Sequence, residues 1–171
     1  MIKIGITGSI ASGKTTASKF ISNRKGPLFD ADKVVRKLYS RVSFKKMIVK
    51  KLSISSSIRF KEKLKRKILE KNKNLKSLEK IIHPLVRKEM YQFVKKNKNK
   101  KLLFFEIPLL VENKLTKYFD FIIFIKSKNS LRLKRFKLKG GSNKLFYLLN
   151  KKQLNDSKKV RFCEHVVVNN K

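Results

Sequence analysis

The sequence predicts a doubly wound α/β domain with a five-stranded parallel sheet, interrupted by a helical insertion. Three observations carry that expectation. The runs KLLFFEIPLL (101–110), FDFIIFIKS (119–127) and HVVVNN (165–170) are almost continuously apolar over strand length, as strands covered on both faces require. Helically patterned segments separate them, which supplies the crossovers that parallel strands need. The basic block from 33 to about 80 holds no strand candidate at all.

Each element has its own signal. IKIGIT (2–7) is a β-branched run just before a glycine and reads as the first strand. Ala17, Phe20 and Ile21 recur at helical spacing, so a helix is expected from 14 to about 23. GPLF (26–29) gives a turn and a short second strand that ends at Asp30-Ala31-Asp32. In the basic block Leu64, Ile68, Leu75 and Leu78 support short helices, with a polar break over 53–57. Pro84 is expected to open a new helix, because proline fits a first turn, and Val86, Met90 and Phe93 continue it. KGGSNK (139–144) interrupts two helical stretches and reads as a loop.

Composition narrows the classes. The chain has 171 residues, 41% of them hydrophobic, which suits one domain with a core and a small insertion and excludes a disordered chain. Its 46 Lys and Arg against 11 Asp and Glu give a formal charge of +35. Such an excess attracts polyanions. The lysines spread along the whole chain, in company with many Asn, Ile, Phe and Ser and no Trp. The excess therefore reads first as a compositional bias. Non-specific nucleic-acid binding is its expected by-product, with no specific nucleic-acid partner. Met1-Ile2-Lys3-Ile4 does not read as a signal peptide, and no apolar run approaches a membrane span. A lone Cys163 makes no disulfide framework. A cytoplasmic protein without a membrane partner is expected. No cluster of Cys and His has metal-site spacing.

Gly8-Ser9-Ile10-Ala11-Ser12-Gly13-Lys14-Thr15 satisfies the phosphate-loop pattern G-x-x-x-x-G-K-[ST], between a strand signal and a helix signal. Glycines let the backbone curl so that successive N–H groups face a phosphate, and the helix N-terminus adds partial positive charge. Lys14 can reach the β- and γ-phosphates, and the Thr15 hydroxyl can ligate Mg2+. ATP or GTP is the expected ligand.

Asp30 and Asp32 fall at the C-terminal end of the second strand, where open α/β sheets bind ligands. A carboxylate there can accept a hydroxyl proton as phosphate is transferred, or hold a Mg2+-bound water. Asp32 can equally cap the helix that follows. Two of only 11 acids beside a phosphate loop point toward chemistry. Glu106 ends the third strand signal. It is a candidate to order Mg2+ through water, against a substrate contact or a solvated strand end. His83 and His165 read as structural, and Cys163 as a small buried hydrophobe.

Taken in order, TGSIASGKTT, DADKVVR, IIHPLV, EIPLLVEN and VVVNN resemble the dephospho-CoA kinase family over residues 4–170. The phosphate loop alone is generic to many kinases; its order and spacing with DAD, HPL and PLLxEN are specific. The resemblance implies transfer of the γ-phosphate of ATP to the ribose 3′-hydroxyl of dephospho-CoA. It implies a P-loop kinase core (1–36 and 86–171), a helical acceptor-binding insertion (37–85) and a lid (132–150). Carried over by residue, Gly8, Ser9, Ile10, Ala11, Ser12, Gly13, Lys14, Thr15 and Thr16 hold the ATP phosphates. Asn169 and Asn170 lie near the adenine. Lys14 and Asp32 are the catalytic candidates, Asp32 as base, and Arg36 contacts substrate or phosphate. Lys65, His83, Pro108, Leu109, Glu112 and Asn113 fall in the acceptor-binding region. Thr15 and Glu106 are the metal candidates.

Departures accompany the resemblance. The family has glycine where this chain has Ser9 and Ala11, which serve if their φ angles are negative. It has an Arg-Asp pair where this chain has Lys139-Gly140, so a bidentate lid contact passes to Arg132 or Arg135. Its insertion is longer between 36 and 60, and it continues into a further helix beyond the position of Lys171. Two other functions remain open: another small P-loop kinase acting on a nucleoside or nucleotide, and a non-enzymatic basic nucleic-acid binder on a kinase scaffold.

Overall fold

The computed structural model describes residues 1–54 and 59–170. The elements run β1 (Ile2–Gly8), α1 (Lys14–Ser22), β2 (Leu28–Asp30), α2 (Ala31–Ser40), α3 (Val42–Leu52), α4 (Phe60–Glu70), α5 (Asn72–Lys96), β3 (Leu102–Glu106), β4 (Phe121–Lys126), α6 (Asn129–Leu138), α7 (Asn143–Lys151), α8 (Asp156–Val160) and β5 (His165–Val168). They fall into two compact units, residues 1–31 with the chain from Lys96 onward, and Asp32–Lys95. The boundaries read from the sequence, 36/37 and 85/86, lie inside α2 and α5. Both are continuous helices, so the chain divides near their ends.

In the first unit all strand pairs are parallel, in the order β2-β3-β1-β4-β5. Side chains of successive strand residues point to opposite faces. Phe104 packs on one face with Ile6, Ile123 and Ile125, against Ala17 and Ile21 of α1. Phe105, the next residue, meets Phe29 at 5.8 Å and Phe119 at 5.3 Å between ring centroids. Both faces of the central strands β3 and β4 are covered, which is why these two read as continuous rather than alternating apolar runs.

Some elements depart from their sequence signals. The apolar run at 101–110 leaves the sheet after Glu106, because Pro108 has no N–H to give to a ladder. Its remaining apolar residues Ile107, Leu110 and Val111 are still buried. Phe20 is 83% exposed; α1 turns Ala17, Ser18, Ile21 and Ser22 inward instead. The glycine-rich loop is shorter than 139–144, since α7 resumes at Asn143 with Ser142 as N-cap, its hydroxyl accepting from the Leu145 N–H.

The second unit has its own core of Leu38, Phe44, Ile48, Leu52, Ile54, Leu64 and Leu78. Leu64, Ile68 and Leu78 thus do the packing that their spacing predicted. The polar break begins on time, with α3 ending at Leu52 and Ser53 in a left-handed cap; positions 55–57 lie outside the described residues. Pro84 does not start a helix. It sits inside the 25-residue α5. An interior proline forfeits one hydrogen bond and costs about 3 kcal/mol. Ile81, Ile82, Leu85 and Val86 flank it, partly buried against the core, and at about 0.8 kcal/mol per buried CH2 the four together offset that cost. Among the described residues no helix is long and apolar enough to cross a membrane.

Candidate active site

The phosphate loop spans residues 9–13, between the end of β1 and the start of α1. β1 lies between β3 and β4, so the loop opens where chain order along the sheet reverses, the usual ligand crevice of such sheets. Glycine is required at both ends of the loop. A Cβ on Gly8 would lie 2.5 Å from the Ile125 carbonyl oxygen and 2.9 Å from Ser12 Oγ. Gly13 has φ +85°, a left-handed conformation, and a Cβ there would lie 2.2 Å from Asn169 Nδ2.

Gly13 is the N-cap of α1 and offers no side-chain cap; the first turn carries no acid. Neither a side-chain cap nor an acid thus competes with an external anion for the positive end of the helix. Lys14 begins the helix and folds back, Nζ donating to the Ser9 carbonyl at 2.9 Å. The Ser12 hydroxyl is fully buried and has no hydrogen-bond partner among the described residues. An orphaned hydroxyl inside a loop of this geometry fits a phosphate ligand.

Ala11 departs from the expectation of a negative φ: its φ is +56°. The left-handed region costs an alanine about 1–2 kcal/mol. Glycine would sit there without strain. Ser9 is not among the positive-φ residues.

Thr15 and Glu106 come together. Thr15 Oγ1 donates to Glu106 Oε1 at 2.7 Å. Glu106 is 2% exposed at the end of β3, in register with Ile6 of β1 and Asp30 of β2. A hydroxyl and a carboxylate are hard oxygen donors and fit Mg2+, whose remaining positions phosphate oxygens and waters can fill. Of the three readings of Glu106, a solvated strand end is excluded by its burial.

Asp32 lies in the first turn of α2, on the helix that follows β2 directly, and Arg36 lies one turn further along the same face. Both belong to the second unit, as does His83 on α5. Lys65 falls on α4, and its side chain lies outside the described residues.

The segment after β3 stays with the first unit. The Thr7 hydroxyl donates to the Pro108 carbonyl at 3.2 Å, and the Asn113 N–H to the Leu109 carbonyl at 3.0 Å. Glu112 is engaged by Lys159, whose Nζ lies 2.7 Å from Oε1, with the Leu154 N–H on the same oxygen at 3.2 Å.

Asn169 and Asn170 separate in role. Asn169 Nδ2 donates to the Ser12 carbonyl at 3.0 Å, beside the loop, whereas Asn170 Oδ1 accepts from the Lys128 N–H at the start of α6. The two lid arginines separate likewise. Arg135 donates to the carbonyls of Ser12 and Asn169 and to Ser127 Oγ. Arg132 is buried against the Phe146 ring and spent on Asn129 and Asn150. Burial lowers its pKa, while the charge of Asp156 works the other way. Cys163 is half-buried rather than fully buried, and burial, with Glu164, pushes its thiol up to about 11. His165 is exposed at the start of β5.

Three residues that the sequence did not single out also touch this region. Gln153 accepts from the Ile10 N–H at 3.0 Å, Asp156 accepts from the Ser9 hydroxyl, and Lys159 is fully buried. Asp156 was findable as one of 11 acids; Lys159 cannot be told by sequence from the other basic residues.

Comparison with known proteins identifies relatives of this chain. The dephospho-CoA kinase family matches residues 2–171. A dephospho-CoA kinase of Fusobacterium nucleatum is 32% identical over 173 aligned residues, covering 98% of this chain and 89% of that protein. One of Rickettsia conorii is 36% identical over 135 residues, 79% of this chain and 70% of that protein. A crystal structure from Thermus thermophilus superposes with a TM-score of 0.83 at 24% identity, over 99% of this chain and 89% of the other, and so shares the fold.

Proposed function

This chain belongs to the dephospho-CoA kinase family, and from that premise we propose that it transfers the γ-phosphate of ATP to the ribose 3′-hydroxyl of dephospho-CoA, releasing ADP and coenzyme A. The observation that carries the reading is the Thr15–Glu106 pair beside the uncapped, Lys14-bearing N-terminus of α1. The leading N–H groups of α1 and the loop bind the ATP phosphates. Lys14 exchanges its Ser9 carbonyl for phosphate oxygens, a stronger, charge-assisted partner. In a loose phosphoryl-transfer transition state, charge gathers on the oxygens that Lys14 meets.

Thr15 and Glu106 would hold Mg2+, Glu106 through a water. When bound, the ion would supply positive charge to offset that of the phosphates. Asp32 accepts the proton of the 3′-hydroxyl as that oxygen bonds to phosphorus and the bond to the β–γ bridging oxygen breaks. Arg36 and His83 serve the acceptor, with Lys65, Pro108, Leu109 and Asn113 in the same region by family resemblance. Asn169 and Asn170 line the adenine end. The reaction takes place in the cytoplasm.

The test is ADP release, coupled to a dehydrogenase, across dephospho-CoA, nucleosides and nucleotides at fixed ATP and Mg2+. Turnover confined to dephospho-CoA supports the assignment. Preferred turnover of a nucleoside, or ATP-independent binding of nucleic acid without ADP release, overturns it.

A further inference from the structure

We propose that Gln153 and Asp156 are positioning residues that brace the phosphate loop from outside, anchored by the buried Lys159–Glu112 ion pair. The proposal rests on the reading that this loop holds the phosphates of ATP. Ser9 and Ile10 form the first half of the loop, before the strained Ala11. Each is tied to the segment just after α7. The Ser9 hydroxyl, 2% exposed, donates to Asp156 Oδ1. The Ile10 N–H donates to Gln153 Oε1 at 3.0 Å. Gln153 Oε1 also accepts from Lys159 Nζ at 3.4 Å, and two donors on one oxygen fix which way the amide faces. Lys159 is fully buried and pairs with Glu112 Oε1 at 2.7 Å. That oxygen also takes the Leu154 N–H, which closes the support around residues 153–159.

The logic is one of population. A loop with an alanine in the left-handed region tends to relax toward other conformations unless its surroundings hold it. The Ser9–Asp156 pair supplies a restraint two residues before Ala11, at the start of the loop. Apparent affinity falls by the fraction of time that the loop spends in the binding conformation. A brace of this kind acts on nucleotide affinity before it acts on the chemical step.

The experiment titrates ADP calorimetrically, without acceptor, into the wild type, Ser9→Ala, Asp156→Ala, Asp156→Asn, Gln153→Ala and the Ser9→Ala/Asp156→Ala double variant, each checked by thermal melting. Loss of one charge-assisted hydrogen bond is expected to weaken ADP roughly tenfold in Ser9→Ala and in Asp156→Ala. The double variant should be no weaker than the worse single one. Asp156→Asn keeps an acceptor oxygen and should bind ADP nearly as the wild type does. In turnover, KM for ATP should rise while KM for dephospho-CoA stays put. Undiminished ADP affinity in both Asp156→Ala and Gln153→Ala, or additive losses in the double variant, overturns the proposal. Ser9→Ala removes a single hydroxyl and keeps the test decisive should Asp156→Ala not fold. Because the readout needs no acceptor, failure of dephospho-CoA turnover beside intact ADP binding counts against the acceptor assignment alone.

Discussion

Glu112→Gln is expected to be among the most destabilising single-atom changes in the first unit. The substitution keeps the shape of the side chain and removes its charge. Lys159 is then left with its ammonium fully buried and no carboxylate within reach of the 2.7 Å contact. Breaking a buried pair by removing one partner costs about 3–5 kcal/mol. Whole domains have about 5–15 kcal/mol in hand. At about 2–4 °C per kcal/mol for chains of this size, the melting temperature should fall by about 10 °C. Arg41–Glu89 provides the internal control. It is also close, at 3.1 Å, but its side chains are 52% and 33% exposed, so Glu89→Gln should cost less than about 1 kcal/mol. Adding Lys159→Met to Glu112→Gln should recover most of the loss, because the uncompensated charge is gone and the methionine fills the space. Thermal and urea unfolding followed by circular dichroism measure all four proteins. A Glu112→Gln protein that melts within about 1 °C of the wild type would refute the reasoning, as would a double variant less stable than the single.

The remaining expectations concern the loop, the base and the thiol. Lys14→Ala should lower turnover a hundredfold to a thousandfold or more with little change in melting temperature, because it removes a charge from the transferring phosphate; near wild-type turnover would sink the loop assignment. Asp32→Asn should lower turnover roughly a hundredfold with ATP affinity kept, and Asp30→Asn should do less; the reverse order in steady-state rates would mean that the other acid is the base. Ala11→Gly relieves about 1–2 kcal/mol of backbone strain and gives back about 0.4–1 kcal/mol in unfolded-state entropy, so a small rise in melting temperature is expected, and a fall counts against the strain argument. Cys163, with its pKa at about 11, should react with a disulfide reagent at pH 8 roughly twentyfold slower than free cysteine, a small thiolate fraction partly offset by greater nucleophilicity. A thiol pKa raised by folding favours the folded state below pH 9.0, its ordinary value here, and that contribution is lost as pH climbs through 11.

What the sequence disclosed was local. The phosphate loop is legible because eight consecutive residues and two flanking elements determine it, and Glu106 because it ends a run whose burial on both faces is written in LLFF. The second-unit helices were legible through Leu64, Ile68 and Leu78, which do pack on their core. The misses have a common cause: tertiary packing overrode a local signal. Pro84 is a helix breaker only until Ile81, Ile82, Leu85 and Val86 are partly buried around it. Phe20 kept the spacing of a core residue yet faces solvent, because Ala17 and Ile21 already fill the space under α1. Lys159 finds Glu112 across 47 residues of chain, a separation at which no periodicity operates.

The charge acquires a meaning once the acids are located. Against 46 basic residues the chain keeps 11 acids, and many of them do a job that solvent would not do. Asp120 Oδ2 accepts from the Lys3 N–H at 2.7 Å, and Glu164 Oε2 from the Ile122 N–H at 2.6 Å, so each ties a sheet strand to the segment beside it. Glu106 holds Thr15, Asp156 holds Ser9, and Glu112 neutralises a buried lysine. Free surface carboxylates, each worth about 1 kcal/mol or less in exposed pairs, are what such a chain can lose without unfolding. Carboxylates that accept backbone N–H groups or stabilise buried cations are not. The structural and chemical duties of an acid can be separated by comparing the stability and the turnover of its amide variant. This is the footing on which Asp32, in the first turn of α2, is best tested: if Asp32→Asn lowers stability by more than about 1 kcal/mol and leaves turnover intact, the residue was kept for its favourable place at a helix N-terminus. If turnover collapses in a protein that melts normally, it was kept for the proton.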